Sequence, residues 1–332
     1  MKILKEYELD EAVNAIKNNE LVIFPTETVY GLGANALIES AVEKIFEAKK
    51  RPSNNPLIVH LSNKDDILKY AYVENEIEQK LIDSFMPGPF TIILKKKENI
   101  PQNVTCGLNT VGIRIPSNEI ANRFIKQCDL PIAAPSANLS TKPSGTNVTD
   151  IFFEFNDTVS YIIDGGNTDV GLESTVVKVI DNIPTILRPG FITKEDIELV
   201  CGKCDVIKEV LEKASTNQVE SPGLLYKHYA PNCKCLLVYS DDSNILREII
   251  NENKTNKTLI IGSSKLRNIS CFKFLDYGDS LIEIAHNIFH LLREADTYEP
   301  DLIIIEGVKK EGLGLAIMNR LVRTCSFNYI EK

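Results

Sequence analysis

The sequence predicts an α/β protein with two domains. The chain has 332 residues, more than one average domain holds. Apolar runs of strand length alternate with helical patterns in both halves of the chain. A Pro- and Gly-containing segment, 221–231, interrupts this alternation. We therefore predict a first domain over 1–204, a linker over 205–234 and a second domain over 235–332.

The elements of the first domain follow from apolar runs and from the residues that stop them. Strands are predicted at 21–24, 57–61, 90–94, 110–115, 131–134, 161–164, 176–180 and 185–187, and helices at 9–19, 41–50, 118–128 and, more weakly, within 64–84. Pro25 ends the first strand, and the Gly-Leu-Gly sequence at Gly31–Gly33 predicts a turn. Ser40 and Glu43 have the spacing of a capping box for the helix over 41–50.

The second domain is predicted to be a small parallel sheet covered by helices. Strands are predicted near 235–239, 258–262, 272–275 and 301–305, with helices near 243–252, 279–294 and 314–323. Regular alternation of strands and helices is typical of a parallel sheet. Gly312 and Gly314 follow the last strand, but they lack a full fingerprint and only weakly indicate a nucleotide site.

The composition argues against a membrane protein and against an extended nucleic-acid-binding surface. The formal net charge of −9 disfavours extended non-specific binding of nucleic acid. No apolar run reaches the ~18 residues of a membrane helix. The charged N-terminus also lacks the apolar core of a signal peptide. We therefore expect a cytoplasmic protein that does not associate with membranes.

The cysteines are expected to be free thiols. Eight cysteines without a secretory signal are typical of a reducing compartment. Two pairs, Cys201-x-x-Cys204 and Cys233-x-Cys235, invite comparison with zinc sites. The second spacing is wrong for a knuckle, and neither pair lies in a Gly-rich turn. We therefore expect no metal site built from protein side chains.

One stretch, Phe24–His60, concentrates polar side chains in fewer than forty residues. Its hydroxyl, amide, imidazole and cationic groups belong to Thr26, Thr28, Lys49, Arg51, Asn55 and His60. Lys49 and Arg51 are expected to project together from a helix end that Pro52 closes. The strand over 57–61 is expected to carry His60 outward. The gathering suits a polyanion bound beside a small polar molecule, although the cations alone could form a solvated helix end.

Two standard nucleotide motifs do not fit this stretch. Gly31-x-Gly33-x-x-Ala36 imitates a dinucleotide fingerprint, but its first glycine does not directly follow the strand. The position twenty residues after Gly31 is Arg51, where the fingerprint needs an acidic residue. The chain also has no G-x-x-x-x-G-K-[ST] motif. A triphosphate would therefore be held by cations, hydroxyls and backbone amides, with Mg²⁺ bridging its phosphates.

Further polar side chains lie within, at the ends of, or shortly after other predicted strands. These residues are Thr110, Arg114, Ser136, Asn138, Ser144, Ser174 and Arg188. Arg114 should lie on the face of its strand opposite Val111 and Ile113. Ser136 lies outside any G-x-S-x-G elbow, so a serine hydrolase is not predicted. Since small-molecule sites in α/β proteins often form at strand ends and adjoining loops, these residues predict such a site.

These segments resemble the threonylcarbamoyl-AMP synthases of the YrdC-like family. The blocks that carry the resemblance are, in chain order, PTETVYGLG, K-x-R at Lys49 and Arg51, NPLIVH, TVGIRIP, AAPSAN with S-x-N at Ser136 and Asn138, IIDGG, ESTV and LRPG. They span most of residues 20–190. The sequence SPGLLYKHYAP at 221–231 is similar to the linker of the longer, two-domain members.

The resemblance implies a fold and an activity. The fold would be an N-terminal YrdC-like twisted α/β sheet domain and a small Rossmann-like C-terminal α/β domain, joined by a long linker that closes over the active site. The activity would be synthesis of L-threonylcarbamoyl-AMP and pyrophosphate from L-threonine, bicarbonate or CO2, and ATP with Mg²⁺. The product would be the donor for N6-threonylcarbamoyladenosine in tRNA, attached by separate threonylcarbamoyl-transfer proteins. Whether tRNA binds directly is left open.

The resemblance also implies a role for individual residues. L-threonine would be held by Thr28, His60, Arg114 and Ser174. ATP would be held by Arg51, Asn55, Thr110, Ser136, Ser144, Arg188 and Tyr226, with Tyr229 as an alternative to Tyr226. The catalytic signature consists of Lys49, Arg51, Ser136 and Asn138. Ala134 stands where some members have a Thr that contacts the amino acid, so no side-chain contact is expected there.

Two alternatives remain open from the sequence. One is an RNA-binding module that uses the same basic concave surface, although the acidic net charge counts against it. The other is a carbamoyl-transfer enzyme of the hydrogenase-maturation type, which contains a related domain. Such proteins carry acylphosphatase and zinc-finger segments upstream, whereas this chain begins directly with the synthase-like segment.

Overall fold

The computed structural model describes residues 1–212, 221 and 229–332. The chain divides into two compact units. The first unit comprises Met1–Ser140 and Ser144–Leu225, and the second comprises Thr141–Pro143 and Tyr226–Lys332. Each unit is built around its own β-sheet, as the α/β prediction requires.

The first unit contains one large mixed sheet. Its strands are β1 (Lys2–Leu4), β2 (Val22–Phe24), β3 (Gly31–Asn35), β4 (Ile58–His60), β5 (Ala71–Tyr72), β6 (Phe90–Lys96), β7 (Thr110–Arg114), β8 (Ile132–Ala134), β9 (Tyr161–Ile163), β10 (Thr175–Ile180), β11 (Ile183–Arg188) and β12 (Asp205–Val206). Their order in the sheet is β1-β9-β2-β3-β8-β4-β7-β6-β10-β11-β12, with β5 beside β6. The pair β4–β7 is parallel and lies near the middle of this order.

Helices pack their apolar stripes against this sheet. They are α1 (Leu9–Lys17), α2 (Glu39–Lys49), α3 (Ile67–Tyr70), α4 (Glu76–Phe85), α5 (Gln102–Thr105), α6 (Glu119–Cys128), α7 (Val148–Phe155) and α8 (Lys194–Cys201). On α6 the buried residues Ala121, Phe124, Ile125 and Cys128 recur at helical spacing. They form one apolar cluster with residues of α1 and with Phe24. Burial of each large apolar side chain contributes about 1.5–3 kcal/mol.

The two faces of β4 and β7 have different surroundings. Val59, Val111 and Ile113 belong to the main apolar core, together with Val42 and other residues of α2. Because side chains alternate along a strand, His60 and Arg114 lie on the opposite face. Arg114 therefore faces away from Val111 and Ile113, as the sequence predicts. This second face is where the polar residues gather.

Two local predictions are wrong. Gly31–Gly33 does not form a turn, because it begins β3, which pairs antiparallel with β2. A Cβ on Gly33 would lie 2.8 Å from Cε1 of Phe24, so close packing of the aromatic ring explains this glycine. Ser40 and Glu43 do not form a capping box, because α2 begins at Glu39 and Ile38 is its N-cap, without a side-chain cap. Ser40 already lies inside the first helical turn.

The second unit contains a five-stranded sheet in which every pair is parallel. Its elements are β13 (Lys234–Tyr239), α9 (Ser243–Asn253), β14 (Thr258–Gly262), β15 (Lys273–Asp276), α10 (Leu281–Thr297), β16 (Leu302–Glu306), α11 (Leu313–Thr324) and β17 (Tyr329–Glu331). The strand order is β15-β14-β16-β13-β17. The predicted parallel sheet is confirmed, and β17 is an additional edge strand.

Both faces of this second sheet are covered. Helix α9 packs on the face that carries Val238, Ile260 and Ile304. Alternation directs Leu237 and Ile305 to the other face, where both are fully buried. Helices α10 and α11 contact each other, and α11 contacts β13. These two helices cover that other face. The helix that follows β13 (α9) and the helix that follows the neighbouring β16 (α11) therefore lie on opposite sides of the sheet.

Two general expectations can be compared with the fold. All eight cysteines are thiols outside any disulfide, as the sequence predicts. Among the helices of residues 1–212, 221 and 229–332, none combines the length and apolar character needed to span a bilayer.

Candidate functional site

Polar residues gather at both ends of the parallel pair β4–β7. Ile58 is paired with Gly112 and His60 with Arg114. Thr110, Gly112 and Arg114 share one face of β7 because their spacing is two residues. At about 3.3 Å per residue, the two ends of β7 lie about 13 Å apart. The site therefore has a carboxyl-end cluster around Arg114 and an amino-end cluster around Asn55, separated by Gly112.

The carboxyl-end cluster contains a buried ion pair. Nη2 of Arg114 lies 2.9 Å from Oε1 of Glu27, and the two side chains are 5% and 6% exposed. The same Nη2 donates to Oγ1 of Thr26 at 3.5 Å. Oγ1 of Thr26 lies 2.9 Å from Oγ1 of Thr28. The contact with Arg114 is an ion pair and not an aligned hydrogen bond, and neither oxygen of Glu27 has a hydrogen-bond partner within the described part of the chain, so the carboxylate can still accept donors from a ligand.

The loop that carries Glu27 is held by backbone hydrogen bonds. Pro25 ends β2, and the following loop is joined to a second loop at residues 168–171. Val170 N donates to Glu27 O at 2.8 Å, and Gly171 N donates to Thr28 O at 3.1 Å. The Tyr30 hydroxyl donates to Gly166 O at 2.8 Å. These contacts fix the carboxylate opposite Arg114 although it lies outside regular structure.

His60 is a buried, neutral imidazole. It ends β4, is 4% exposed, and packs edge-on against Phe24 with ring centroids 5.9 Å apart. Nδ1 lies 3.2 Å from Ile58 O. Burial, and then the positive charge of Arg114, lower the pKa of His60 to about 3. The prediction that His60 points outward is wrong, because the site face of β4 is covered by Phe24 and the Arg114 cluster.

Ser174 connects this cluster to Arg188. Thr91 is the strand partner of Arg114, and its Oγ1 lies 2.8 Å from Oγ of Ser174. Arg188 donates to Ser174 O through Nε at 3.1 Å and through Nη2 at 3.0 Å. It also donates to Ser174 Oγ at 3.1 Å. Arg188 is 6% exposed. Its buried guanidinium therefore holds Ser174, the residue directly before β10, in place.

Two carboxylates of the site were not predicted from the sequence. One is Glu27, and the other is Glu173, whose Oε1 accepts from Ser144 Oγ at 2.6 Å. Both side chains are buried. Each glutamate directly precedes a predicted hydroxyl residue, Thr28 or Ser174. Their position next to predicted site residues, visible in the PTET and EST sequences, could have indicated that both glutamates belong to the site.

Lys49 organises the amino-end cluster from inside the fold. Its Nζ donates to the backbone carbonyls of Ser136 and Asn138, and to Asn138 Oδ1 at 3.4 Å. Oγ of Ser136 donates to Asn138 Oδ1 at 2.6 Å. Lys49 is 2% exposed, so it does not project into solvent beside Arg51. The chain turns between them because Lys50 ends α2 in the left-handed conformation, with φ 51°.

Arg51 lies at the entrance to β4. Its Nη2 donates to Asn55 O at 3.1 Å and to Pro56 O at 3.3 Å. Asn55 is 1% exposed, and its Oδ1 has no partner among the residues that the structure describes. Pro56 and Thr110 line the same small cavity at the amino ends of β4 and β7. Arg51 is therefore bonded to the segment Asn55–Pro56, Pro56 shares a cavity with Thr110, and the buried side-chain oxygen of Asn55 can still accept a hydrogen bond.

The predicted residues thus fall into two linked sets. Lys49, Arg51, Asn55, Thr110, Ser136 and Asn138 form the amino-end cluster, and Thr28, His60, Arg114, Ser144, Ser174 and Arg188 belong to the carboxyl-end cluster and its extension. Tyr226 lies outside the described residues. Tyr229 belongs to the second unit, where its ring stacks on Phe289 at 4.8 Å between centroids.

The chemistry of this site is that of binding and charge neutralisation. It offers guanidinium groups, hydroxyls, a neutral imidazole and carboxylates. Within the described residues, no group of three or more His, Cys, Asp or Glu side chains could hold a metal ion. A divalent cation would therefore have to arrive with a ligand that supplies oxygen atoms of its own, such as a polyphosphate.

Comparisons with protein families cover nearly the whole chain. Residues 14–190 match the Sua5/YciO/YrdC family model, described as telomere recombination. Residues 192–326 match a model described as the C-terminal domain of threonylcarbamoyl-AMP synthase. Among curated proteins, the chain is 40% identical to threonylcarbamoyl-AMP synthase of Pyrococcus abyssi, over 99% of this chain and 97% of that protein. It is also 40% identical to the Bacillus subtilis protein of the same name, over 95% and 92%.

A solved structure shares the complete fold. The crystal structure of P. abyssi Sua5 complexed with L-threonine superimposes with a TM-score of 0.94 and 39% identity, and the match covers 100% of both chains. The likeness includes both units, so it agrees with the predicted combination of a twisted α/β sheet domain and a smaller Rossmann-like domain.

Proposed function

We propose, from the premise that this chain belongs to the threonylcarbamoyl-AMP synthase family and is a nucleotidyltransferase, that it joins L-threonine, bicarbonate or CO2, and ATP. The products would be L-threonylcarbamoyl-AMP and pyrophosphate. The observation that carries this proposal is the pair of polar clusters at opposite ends of β4 and β7, strands whose ends are separated by about 13 Å along β7. This arrangement suits an extended pair of ligands that meet between the clusters.

The carboxyl-end cluster is complementary to a zwitterionic amino acid. Arg114 would bind the carboxylate of L-threonine, and Glu27, 2.9 Å from that guanidinium, would accept from its ammonium group. Thr28, His60 and Ser174 would surround the remainder of the substrate. A neutral His60 can donate one hydrogen bond and accept another without adding charge. The relative of known structure was solved with L-threonine bound, which supports this choice of substrate.

The nucleotide would use the amino-end cluster and its neighbours. Arg51, Asn55, Thr110 and Ser136 would contact ATP, with Ser144 and Arg188 from the extension of the other cluster. Tyr226 stays a proposed contact from the linker. Mg²⁺ would be held by the phosphates of ATP, because clustered protein carboxylates are not needed when the substrate supplies the oxygen ligands. Lys49 would act by positioning Ser136 and Asn138, since its ammonium group donates to their carbonyls.

The reaction needs positioning more than a covalent nucleophile. The threonine ammonium group would first lose a proton, and the free amine would then be carboxylated to a carbamate, with release of a second proton when the reactant is CO2 or of water when it is bicarbonate. A carbamate oxygen would then attack the α-phosphorus of ATP, the bond from the α-phosphorus to the bridging oxygen would break, and pyrophosphate would leave with that electron pair. Such transfers depend on alignment and on neutralised charge. A buried site also protects the carbamate, which is unstable in water.

The product would be passed to separate threonylcarbamoyl-transfer proteins that modify tRNA. A reaction confined to ATP, threonine and bicarbonate does not require this chain to bind tRNA itself, and its net charge of −9 disfavours an extended RNA surface. We expect the protein to work in the cytoplasm.

The proposal is tested by pyrophosphate release. The purified chain is given ATP, Mg²⁺ and bicarbonate with L-threonine, with L-serine or with no amino acid. We expect threonine-dependent release, which EDTA abolishes and added Mg²⁺ restores. Arg51→Ala should lower the rate about a hundredfold, as loss of a group that stabilises transition-state charge does.

Lys126→Ala, which removes an exposed cation of α6, should leave the rate unchanged. No release from folded protein under any of these conditions would overturn the synthase proposal and favour the RNA-binding alternative. Equal release with and without amino acid would instead indicate a simple ATP hydrolase.

A further inference from the structure

The second unit contains a cavity at the carboxyl edge of its parallel sheet. Its volume is about 250 Å³, below the roughly 300–1,000 Å³ of drug-sized ligand sites. It is lined by residues that directly follow four strands, β13, β14, β15 and β16. These strands are consecutive in the sheet. The cavity therefore lies where parallel sheets of this kind commonly bind small molecules, and its size suits a molecule smaller than a nucleotide.

The position also coincides with a change in chain direction. After β13 the chain continues into α9 on one face of the sheet, and after the neighbouring β16 it continues into α11 on the other. Adjacent strands whose connections diverge leave a crevice at their carboxyl ends. Tyr239 and Ser240 border the crevice from the β13 side, and Glu306 and Gly307 border it from the β16 side.

The most buried charged group that lines this cavity is a carboxylate without a cationic partner in the described part of the chain. Glu306 is 8% exposed, and its Oε2 accepts from Ser263 N at 2.6 Å. In the part of the chain that the structure describes, no ion pair includes Glu306. A buried carboxylate without a cation is costly. A ligand that brings a positive charge to Glu306 would remove that cost.

Two hydroxyls accompany this carboxylate. Oγ of Ser263 is buried and has no hydrogen-bond partner within the described residues, although Ser263 lines the cavity. Tyr277 is 1% exposed and also lines it. Burial, and then the charge of Glu306, raise the pKa of Tyr277 well above its usual range, so the phenol keeps its proton. The floor of the cavity thus holds one charge and two neutral hydroxyl groups.

The charged residues at the rim of the cavity indicate which kinds of ligand it can bind. Lys265 and Lys309 stand at the exposed rim with Asp241 and Asp279. Lys309 is paired with Glu311 at 2.9 Å, which leaves Lys265 as the better partner for a ligand anion. Three carboxylates against two lysines disfavour a phosphate. The absence of any three-ligand metal cluster from the described residues disfavours a metal ion.

Apolar side chains complete the walls. Leu246 from α9, Ile284 from α10 and Val308 line the cavity between its floor and its rim. From this combination we propose that the cavity binds a small zwitterion of the free α-amino acid class, with its ammonium group on Glu306, its carboxylate toward Lys265 and its side chain against the apolar walls. The site is formed by residues of the second unit alone and goes beyond the proposed reaction.

The test uses the full-length protein and methyl NMR. Leu246, Leu281 and Ile284 line the cavity, and their methyl resonances report on it. The probes are the proteinogenic L-amino acids, added one at a time at millimolar concentration. Putrescine serves as a probe with ammonium groups only, and acetate as a probe with a carboxylate only. We expect at least one amino acid to shift these methyl resonances saturably, and neither putrescine nor acetate to do so.

Variants connect binding to the named groups. Glu306→Gln should weaken binding at least about tenfold, the effect of losing one charge-assisted hydrogen bond. Lys265→Gln, at an exposed position, should weaken it about threefold. Glu252→Gln makes the same carboxylate-to-amide change at an exposed position of α9 outside the cavity, and should not alter binding. The apo methyl spectrum of each variant shows whether the unit is folded.

Three results would overturn this inference. One is the absence of any shift of these methyl resonances with every amino acid. Another is that the folded Glu306→Gln and Lys265→Gln variants both bind the amino acid as tightly as the unmodified protein does. The third is binding of putrescine as tight as that of any amino acid, which would replace the zwitterion by a simple amine. Pyrophosphate release is measured on the same samples, so failure of this inference and failure of the proposed reaction are recorded separately.

Discussion

The Glu27 carboxylate lies 2.9 Å from the Arg114 guanidinium, and both side chains are almost completely buried. Removal of one member of a buried pair leaves the other charge without compensation, which costs about 3–5 kcal/mol. Glu27→Gln should therefore lower the free energy of unfolding by about 3 kcal/mol and raise the KM for threonine. Urea unfolding and initial rates measure these two effects.

The matched control is Glu47→Gln, an exposed carboxylate on α2. It should change stability by less than about 0.5 kcal/mol. A double variant, Glu27→Gln with Arg114→Met, should recover part of the lost stability because no lone charge is left. If the double variant is less stable than Glu27→Gln alone, the buried pair does not explain the loss.

The protein should lose stability at mildly acid pH because His60 takes up a proton when the chain unfolds. Its pKa is about 3 in the folded protein and about 6.5 when unfolded, so between these values the unfolded chain binds the additional proton. The His60 contribution is complete above pH 6.5 and is lost as pH falls, by up to about 1.4 kcal/mol per pH unit. His60→Gln should show a correspondingly weaker loss of stability from pH 6.5 to 5.

Gln127→Asn, a change at an exposed position of α6 that involves no titratable group, is the comparison for this effect. It should retain the full pH dependence of the unmodified protein. Urea unfolding at several pH values measures all three proteins. Parallel curves for the unmodified protein and His60→Gln would contradict the assignment.

Lys49 should act through the turn that it holds. Lys49→Met keeps the length and apolar stem of the side chain but removes the ammonium donor from the carbonyls of Ser136 and Asn138. We expect a stability loss of about 1–3 kcal/mol and a higher KM for ATP with a smaller effect on the KM for threonine. Lys44→Met, on the exposed face of α2, should preserve both constants. An equal rise in both KM values would argue against a local positioning role.

Gly112 should matter for turnover more than for folding. An added Cβ would lie 3.3 Å from Ile93 Cδ1 and from Thr91 Cγ2, a contact that small shifts can relieve. Gly112→Ala should therefore cost less than about 1.5 kcal/mol but lower kcat at least about tenfold, because the methyl group enters the space between the two clusters. Val111→Ala, on the core face of the same strand, should show the opposite pattern. Unchanged kcat in Gly112→Ala would show that substrates do not meet there.

Regular elements of the fold could be predicted where the periodicity was strong. The strand over 258–262 coincides with β14, and the helix over 243–252 differs from α9 by one residue. By contrast β1, β5 and β17 have only two or three residues. Such segments are too short for a period-two pattern, and they become strands only because a neighbouring strand offers its edge.

The residue types of the candidate site could be read from the sequence, but their partners could not. Lys49 follows a helical pattern that is compatible with a solvated end, and its carbonyl partners are 87 and 89 residues away. Glu27 was visible between two threonines, yet only the order of the large sheet, in which β3, β8 and β4 lie between β2 and β7, brings Arg114 to it. Local propensity determines the elements, whereas long-range packing decides which side chains meet.

The buried pair of Glu27 and Arg114 also means that the empty site carries its own counter-ions. A zwitterion that enters brings equal positive and negative charge, so it exchanges one ion pair for two without changing the net charge of the interior. Little mobile salt has to be released or taken up, and the association should depend only weakly on ionic strength. We expect an anion or a cation of the same size to enter the empty site less readily, because it would leave an unbalanced charge in the interior.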